Sequence, residues 1–321
     1  MKVAVLDDWQ GVARQSADWS ALEARAEVTI FPGAFADEDE AAAALADFEI
    51  LLLMRERTAF PASLIGRLPK LRMIALTGAR SPSLDAAACA ARGIVISTTG
   101  ATISSVGTAE LTLGLTIAGA RRLAEGDAAI RAGRFQDGVA VGPVLAGKTL
   151  GIVGLGKIGS RMARYGAALD MTVVAWSRSL DAERAGAAGA RLAPSLSALL
   201  EASDVVTLNV PLSAGSRGMI GAAEIGRMRP GALLVNTSRA GLVDTAALLT
   251  ALRAGRIGAA LDVYDHEPLP ADDPLRTAPN TVLSPHLGYG VREAFERFYR
   301  ESVENILAFL DGKPQRLLAV T

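Results

Sequence analysis

Short apolar runs alternate with longer alanine-rich segments along the first hundred residues. Helix-like segments lie at residues 37–47, 61–68 and 84–92. This alternation is typical of β-α units, whose strands pair in parallel in a sheet that helices cover on both faces. The apolar runs predict strands at residues 2–6, 28–31, 50–54, 72–76 and 94–97.

A second series of apolar runs begins at residue 149. The chain then ends in a predicted helix at residues 291–310, where apolar residues recur at intervals of three and four. The two series together predict two α/β domains, each with a doubly wound parallel sheet. The strands of the second series are predicted at residues 149–153, 172–176, 205–208, 232–236, 258–262 and 281–283.

One long helix is predicted between the two series, at residues 102–132. Its segment 103–120 is the longest apolar stretch of the chain, with Glu110 near the middle. A central carboxylate and a length below the roughly 20 residues of a membrane span argue against a span. A helix that is apolar on most faces is buried on several sides, as between two domains or two subunits. This stretch therefore predicts a homodimer.

Length and composition limit the class of protein. The chain has 321 residues, enough for about two domains at roughly 100 to 200 residues each. A formal net charge of -1 argues against a nucleic-acid partner, which needs a basic surface. With Cys89 as the single cysteine and only two histidines, we predict no disulfide and no metal site. The opening apolar run is too short for a signal peptide, which favours a cytoplasmic enzyme.

A glycine motif follows the first strand of the second series. Gly154, Gly156 and Gly159 read G-x-G-x-x-G, with Lys157 and Ile158 before the last glycine. A strand precedes the motif, and an amphipathic helix and a second strand follow, which completes a dinucleotide-binding β-α-β unit. The glycines let the backbone approach a pyrophosphate, whose charge the helix N-terminus stabilises. The alternative is that the glycines only shape a turn in another α/β protein.

The end of the next strand predicts which dinucleotide binds. In such units an acidic residue about 20 residues after the glycines binds the ribose hydroxyls of NAD. Here that place holds Ser177, Arg178 and Ser179. A guanidinium pairs with a phosphate and hydroxyls add hydrogen bonds, so this strand end favours NADP(H), with NAD(H) as the second choice. The alternative is that Arg178 is an ordinary surface arginine.

Three polar residues stand at the ends of late strands, where open α/β sheets bind ligands: Arg239, Glu267 and His286. An arginine pairs with a carboxylate through its fixed fork of donors, and an imidazole titrates near neutrality and so suits proton transfer. A carboxylate partner orients the imidazole. Taken singly, each residue has an alternative role as a helix cap, a surface charge or a turn residue.

Four motifs together resemble a known family. GLGKIG, NTSRAGLVD, ALDVYDHEPLP and SPHLG stand in the order and at the spacing of the D-isomer-specific 2-hydroxyacid dehydrogenases. The resemblance implies that Arg239 holds the substrate, that His286 is the acid or base, and that Glu267 pairs with it. The chain has Ala240 and Ser284 where the family usually has Gly and Thr. Both departures are small and leave the catalytic groups intact.

The resemblance also implies the domain organisation and a substrate site. A substrate domain of residues 1–98 and 289–321 encloses a Rossmann-like dinucleotide-binding domain of residues 99–288. A loop after a strand of the first domain is implied to take the substrate carboxylate with its backbone N–H groups. The residues implied to bind the substrate are Gly78, Ala79, Arg80 and Arg55, with the alternative that Arg55 or Arg80 is a surface charge.

The implied cofactor site extends beyond the glycine motif. Asp262 is implied to receive the nicotinamide carboxamide, and Arg239 and His286 also face the cofactor. The other implied positions are Thr108, Val210, Pro211, Ser216, Thr237, Ser238 and Gly288.

The sequence therefore predicts an NAD(P)-dependent D-2-hydroxyacid dehydrogenase with two Rossmann-like domains. Its expected substrate is a small 2-oxo acid of the glyoxylate or hydroxypyruvate type. The alternative is a dinucleotide-sensing interaction protein of the corepressor type, because a relative of the family has that role with the same cleft. Turnover of a panel of 2-oxo acids discriminates the two.

Overall fold

A computed structural model of the chain describes residues 1–100 and 102–319. Residues 101 and 320–321, which the predicted domains include, lie outside the described residues. The chain divides into two units, and each carries one parallel β-sheet. The substrate and cofactor roles of the two domains stay predictions. The first unit is Met1–Ile103 with Gly290–Thr321, and the second unit is Ser104–Tyr289.

The first unit begins with five strands and five short helices. The strands are β1 (Lys2–Val5), β2 (Glu27–Ile30), β3 (Ile50–Leu53), β4 (Met73–Leu76) and β5 (Val95–Thr98). The helices are α1 (Ala13–Ser16), α2 (Ser20–Glu23), α3 (Glu38–Leu45), α4 (Ala62–Gly66) and α5 (Ala86–Ala91).

The sheet of the first unit has the order β2-β1-β3-β4-β5, and all its pairs are parallel. β3 and β4 are buried at every position and read as unbroken apolar runs, as expected for strands covered on both faces. The chain leaves β1 towards β2 and leaves β3 towards β4, on opposite sides. The carboxyl ends of β1 and β3 therefore form the kind of crevice where open α/β sheets bind ligands.

The second unit contains seven strands, seven α-helices and two 3-10 helices in its described residues. The strands are β6 (Thr149–Val153), β7 (Thr172–Trp176), β8 (Arg191–Leu192), β9 (Val205–Leu208), β10 (Leu233–Asn236), β11 (Gly258–Leu261) and β12 (Thr281–Leu283). The α-helices are α6 (Thr102–Arg121), α7 (Leu123–Arg131), α8 (Lys157–Ala168), α9 (Ala182–Ala187), α10 (Leu196–Ala202), α11 (Ala222–Arg227) and α12 (Thr245–Arg253). The 3-10 helices are Ala240–Leu242 and Pro274–Thr277.

The sheet of the second unit has the order β12-β11-β10-β9-β6-β7-β8, and all its pairs are parallel. From the central β6, the chain builds β7 and β8 on one side and β9 to β12 on the other. The order therefore reverses between β6 and β9, which makes their carboxyl ends the ligand crevice of this sheet. The glycine motif starts at Gly154, directly after β6.

The predicted single helix at residues 102–132 is wrong. The structure has α6 and α7, with Arg122 between them at a φ of 55°. A residue in the left-handed region breaks the regular helix, and no apolar pattern marks such a break. The Arg122 guanidinium donates to Asn280 Oδ1 at 2.5 Å, a contact distant in sequence. The two-residue β8 was also not predicted, because it is too short to show a pattern.

The helix α6 passes a length and composition test for crossing a membrane, with 20 residues and a mean hydropathy of 1.2. The argument that this stretch is too short for a span is therefore wrong. In the structure 39% of its 18-residue window is buried, and Leu115 packs with Leu150 and Val235 of the sheet. The core helix of a soluble protein passes the same test, so one such helix is weak evidence for a membrane.

The chain returns to the first unit with α13 (Arg292–Leu310). This helix confirms the predicted helix at residues 291–310. Its buried side chains include Phe298 and Tyr299, and the Tyr299 ring lies 5.9 Å from the ring of Trp19. Tyr299 thereby joins the last helix to the segment between α1 and α2.

Candidate active site

A histidine and a glutamate lie together beyond the carboxyl ends of β11 and β12. His286 Nδ1 is 2.6 Å from Glu267 Oε2, and the two side chains are 21% and 24% exposed. The backbone N–H of Tyr264 donates to the other carboxylate oxygen, Glu267 Oε1, at 3.0 Å. Both oxygens of Glu267 are therefore engaged, which fixes the carboxylate and, through it, the imidazole ring.

Asp262 holds the segment that carries His286. Its buried carboxylate accepts hydrogen bonds from Ser284 Oγ at 2.6 Å, Leu287 N at 2.7 Å and Gly288 N at 2.9 Å. Burial raises the pKa of this carboxyl, and the three hydrogen bonds oppose the rise. His286 has a φ of 54°, a left-handed conformation that persists only where the surroundings impose it. Asp262 therefore holds the chain on both sides of His286, through the Ser284 hydroxyl before it and two backbone N–H groups after it.

Arg239 lies in the turn after β10, before the 3-10 helix Ala240–Leu242. Asn236, the last residue of β10, fixes this turn. Its Nδ2 donates to the Arg239 carbonyl at 2.9 Å, and its Oδ1 accepts from Ser238 N at 3.0 Å. Ser238 Oγ donates to the Val210 carbonyl at 2.7 Å, which ties the turn to the loop after β9. Asn236 was not among the predicted site residues, although a polar residue that closes an apolar strand at this edge is a usable signal.

The glycine motif has the geometry that a dinucleotide phosphate needs. Gly154 has a φ of 96°, and a Cβ there would lie 2.7 Å from the Asn209 carbonyl oxygen. A Cβ on Gly159 would lie 2.0 Å from the Gly154 carbonyl oxygen. At Gly156 a Cβ would meet no described residue within 4 Å, so this face of the turn is open. No side chain in the described part of the chain caps the start of α8 at Lys157, so its N-terminal N–H groups suit a pyrophosphate, and these residues fit the cofactor.

The strand end after β7 carries positive charge. Arg178 is exposed, and its guanidinium lies against Gly215: a Cβ on Gly215 would be 2.5 Å from Arg178 Nη1. Ser177 is half-buried and Ser179 is exposed. The arginine therefore reaches from the end of β7 to the loop that follows β9, across the mouth of the crevice between β6 and β9.

The structure brings some of the other predicted cofactor residues together. A Cβ on Gly288 would lie 3.1 Å from Thr108 Oγ1, which places Thr108 beside the His286 segment. In the loop after β9, Ser216 Oγ donates to the Pro211 carbonyl at 2.8 Å. Thr237 is buried and shares a 2.7 Å hydrogen bond with a threonine hydroxyl of α6.

The predicted substrate residues lie at the carboxyl edge of the first sheet. Ala79 and Arg80 are exposed after β4, and Arg55 lies against Gly78, where a Cβ would be 2.0 Å from Arg55 Nη1. The N–H of Gly78 donates to Thr99 Oγ1 at 2.7 Å. This contact differs from the predicted role of Gly78, because that N–H is already used within the first unit. Of the predicted loop, the N–H groups of Ala79 and Arg80 then stay candidates for binding the substrate carboxylate.

The family model for the NAD binding domain of D-isomer specific 2-hydroxyacid dehydrogenases matches residues 113–288. The chain belongs to this family. A glyoxylate reductase of Aeropyrum pernix is 39% identical over 258 residues, which are 78% of this chain and 76% of the relative. A D-3-phosphoglycerate dehydrogenase of Archaeoglobus fulgidus is 35% identical over 83% of this chain, which spans 50% of that relative's length. A crystal structure of a phosphoglycerate oxidoreductase from Vibrio cholerae matches with a TM-score of 0.91 and 35% identity, over 97% of this chain and 99% of that one.

As a D-isomer-specific 2-hydroxyacid dehydrogenase, the protein is an NAD(P)-dependent oxidoreductase with a nicotinamide dinucleotide as its cofactor. The predicted family, fold class and enzyme class are confirmed. The roles assigned to individual site residues stay predictions. Tyr264 was not among the predicted site residues of this dehydrogenase. Its hydroxyl donates to the Ser284 carbonyl at 2.9 Å, so it joins the segments that carry Glu267 and His286.

Proposed function

We propose that this dehydrogenase reduces a small 2-oxo acid of the glyoxylate or hydroxypyruvate type to the D-2-hydroxy acid. The observation that carries the proposal is the 2.6 Å contact between His286 Nδ1 and Glu267 Oε2 at the edge where α/β sheets bind ligands. An imidazole held in this way is suited to donate a proton to a developing alkoxide. Relatives named glyoxylate reductase support a small substrate.

The reduction adds one hydride and one proton to the carbonyl group. The cofactor, when bound, supplies the hydride to the carbonyl carbon. The carbonyl π electrons move to the oxygen, which takes a proton from His286 and becomes the hydroxyl group. Because Nδ1 faces Glu267, we assign this transfer to Nε2, while Glu267 stabilises the protonated ring. General acid catalysis of this kind contributes about 10²- to 10⁴-fold to the rate.

The substrate carboxylate needs its own cation and hydrogen-bond donors. We assign Arg239 to this carboxylate and to the developing alkoxide, since a guanidinium donates two parallel hydrogen bonds and gains as negative charge grows. Asn236 holds the Arg239 turn and so supports this role. We assign the N–H groups of Ala79 and Arg80, with Arg55, to the same substrate. In this proposal the first unit binds the substrate and the second unit binds the dinucleotide.

NADP(H) is the proposed cofactor, with NAD(H) as a weaker substitute. The absence of a carboxylate at Ser177 and the position of Arg178 on Gly215 support a 2′-phosphate site at the end of β7. A charge-assisted hydrogen bond contributes about 1.5 to 3 kcal/mol, which is about ten- to a hundredfold in affinity. Exposure of Arg178 to solvent places the expected preference at the lower end.

We also propose that the enzyme is a cytoplasmic homodimer without nucleic-acid or membrane partners. Support for the dimer comes from α7 and the segment after it, where large apolar side chains are exposed. Clusters of exposed apolar residues mark association surfaces. The interface that we propose therefore lies further along the chain than the segment 103–120, from which the dimer was predicted. The exposed residues are Leu123, Ile130, Phe135, Val141 and Val144.

A substrate panel with both reduced cofactors tests the proposed function. Glyoxylate, hydroxypyruvate, pyruvate and 3-phosphohydroxypyruvate are offered with NADPH or NADH, and kcat/KM is measured for each pair. We expect the highest value for one of the first two with NADPH. Tight cofactor binding without turnover of any 2-oxo acid would contradict the proposal and favour a sensing role.

A further inference from the structure

Asp7 occupies the ligand crevice of the first sheet. It follows β1 at the point where the carboxyl ends of β1 and β3 lie side by side. Its side chain is buried, and its φ of 60° lies in the left-handed region. Burial raises the pKa of Asp7 to about 6 against its hydrogen bonds with Thr58. A buried ionisable group at such a place is costly, so its contacts are informative.

The carboxylate of Asp7 binds the segment that follows β3. Thr58 N donates to Asp7 Oδ2 at 3.2 Å, and Thr58 Oγ1 donates to Asp7 Oδ1 at 3.1 Å. The other end of this segment is held separately, because Arg55 N donates to Thr77 Oγ1 at 2.8 Å. Residues 55–58 are therefore fixed at one end to the residue after β4 and at the other end to Asp7.

Arg55 depends on this fixed segment for its conformation. Its φ of 55° is rare for a residue with a side chain and persists where neighbouring contacts impose it. Its guanidinium lies against Gly78. Its Nε is buried and has no hydrogen-bond partner among the described residues. Nη2 of the same guanidinium lies 3.7 Å from Glu56 Oε1. A buried Nε is unfavourable unless a ligand or another contact satisfies it, which suits Arg55 to an anionic ligand.

We propose that Asp7 and Thr58 are positioning residues that hold Arg55 in the orientation that binds the anionic group of the 2-oxo acid. This inference rests on the proposed function, in which Arg55 contacts the substrate. The carboxylate of Asp7 acts through two hydrogen bonds to Thr58 and touches neither substrate nor cofactor. Loss of these bonds is expected to weaken substrate binding and to leave cofactor binding unchanged.

Asp8 provides a matched control within the same loop. It is also buried, and its carboxylate accepts from Val12 N at 2.9 Å and from Ala13 N at 3.1 Å. It therefore makes a similar set of hydrogen bonds to a different segment. Asp8→Asn changes the charge and fit of the loop after β1 without touching the hydrogen bonds of residues 55–58.

Amide hydrogen exchange tests the positioning role without any substrate. In Asp7→Ala and Thr58→Val we expect the amides of Arg55 and Thr58 to exchange at least tenfold faster, since their anchoring hydrogen bonds are lost or weakened. The amides of Val12 and Ala13 are expected to keep their rates. In Asp8→Asn the pattern should reverse. Unchanged exchange at residues 55–58 in both variants would overturn the inference, even if the enzyme reduces 2-oxo acids as proposed.

Kinetics then test the link to the substrate. In Asp7→Ala and Thr58→Val we expect the KM for the 2-oxo acid to rise about tenfold, the scale of one hydrogen bond to a charged group, with kcat and the cofactor KM changed less than twofold. In an Arg55→Ala background the same substitutions should add less than a twofold change, because the effect passes through Arg55. Full additivity, or an equal rise in Asp8→Asn, would overturn the proposed link. Absence of turnover in the parent would instead refute the proposed function, and the exchange experiment would still decide the role of Asp7.

Discussion

Asp7 makes the stability of the first unit depend on pH in a direction that can be calculated. Burial raises its pKa from the ordinary 3.8 to about 6, with Arg57 and the Thr58 hydrogen bonds opposing the rise. A folded-state pKa above the unfolded value means that the protonated form is favoured by folding. The contribution of this group is therefore fully present below pH 3.8 and is lost as the pH rises through about 6. The difference is about 2 pKa units at about 1.4 kcal/mol each, or about 3 kcal/mol.

Asp7→Asn removes this titration and keeps the shape of the side chain. The amide oxygen accepts from Thr58 N, and the amide nitrogen donates to Thr58 Oγ1, so both hydrogen bonds have a counterpart. We expect the free energy of unfolding of the variant, relative to the parent, to increase by about 3 kcal/mol between pH 4 and pH 8. At pH 8 the variant should therefore be the more stable protein.

Urea unfolding followed by tryptophan fluorescence measures this difference. Trp9 and Trp19 lie in the first unit and Trp176 lies in the second, so a Trp176→Phe background reports on the first unit alone. Asp18→Asn is the control, because hydrogen bonds to Ser20 lower the pKa of Asp18 and give its substitution the opposite sign. Parallel stability curves for the parent and Asp7→Asn between pH 4 and pH 8 would refute the reasoning.

Three further predictions concern catalysis, the cofactor and assembly. His286→Ala should lower kcat about 10²- to 10⁴-fold with the cofactor Kd unchanged, and near-parental kcat in this variant would disprove the proton-donor role. Glu267→Gln should lower kcat about ten- to a hundredfold, because it removes the charge from the 2.6 Å contact with His286. Arg178→Ala should reduce kcat/KM with NADPH about tenfold and leave NADH unaffected, and equal effects on both cofactors would show an ordinary surface charge. Phe135→Asp should shift sedimentation from a dimer towards a 33.3 kDa monomer, and a monomeric parent would remove the basis for the interface.

The sequence alone was enough to place most strands, because a strand buried on both faces of a parallel sheet reads as a continuous apolar run, which is a local signal. The bounds of β6, β7, β9 and β12 agree with the predicted strands. β8 escaped prediction because two residues are too few to show a pattern, and the break in the long helix escaped because it coincides with a contact distant in sequence. Arg122 breaks the long helix beside Asn280, and the run of apolar residues continues through the break.

Some candidate site residues were predicted from the sequence and others were not. His286 and Glu267 were predicted because their motifs and strand ends are visible in the sequence, and the structure brings them to 2.6 Å. Asn236 was missed although it closes an apolar strand, and its hydrogen bonds reach only the turn that follows. Asp7 was missed because its hydrogen bonds go to Thr58, in another loop. Such a role depends on which loop the fold places beside the side chain, and the residue type alone does not indicate it.

Each unit has, at the carboxyl edge of its sheet, a buried aspartate that anchors a loop by hydrogen bonds. Asp262 follows β11 and accepts from the backbone N–H groups of Leu287 and Gly288, directly after His286, while Asp7 follows β1 and accepts from the N–H and the hydroxyl of Thr58. In both cases burial raises the pKa of the aspartate, and the anchored segment carries a residue that we propose acts on the substrate, at a left-handed φ of 54° for His286 and 55° for Arg55. A buried carboxylate lowers stability near neutral pH, and a left-handed residue adds strain. A buried carboxylate beside a left-handed residue is expected where a side chain must be held in one orientation. We therefore assign Asp7 to the positioning of Arg55 and not to the core of the first unit.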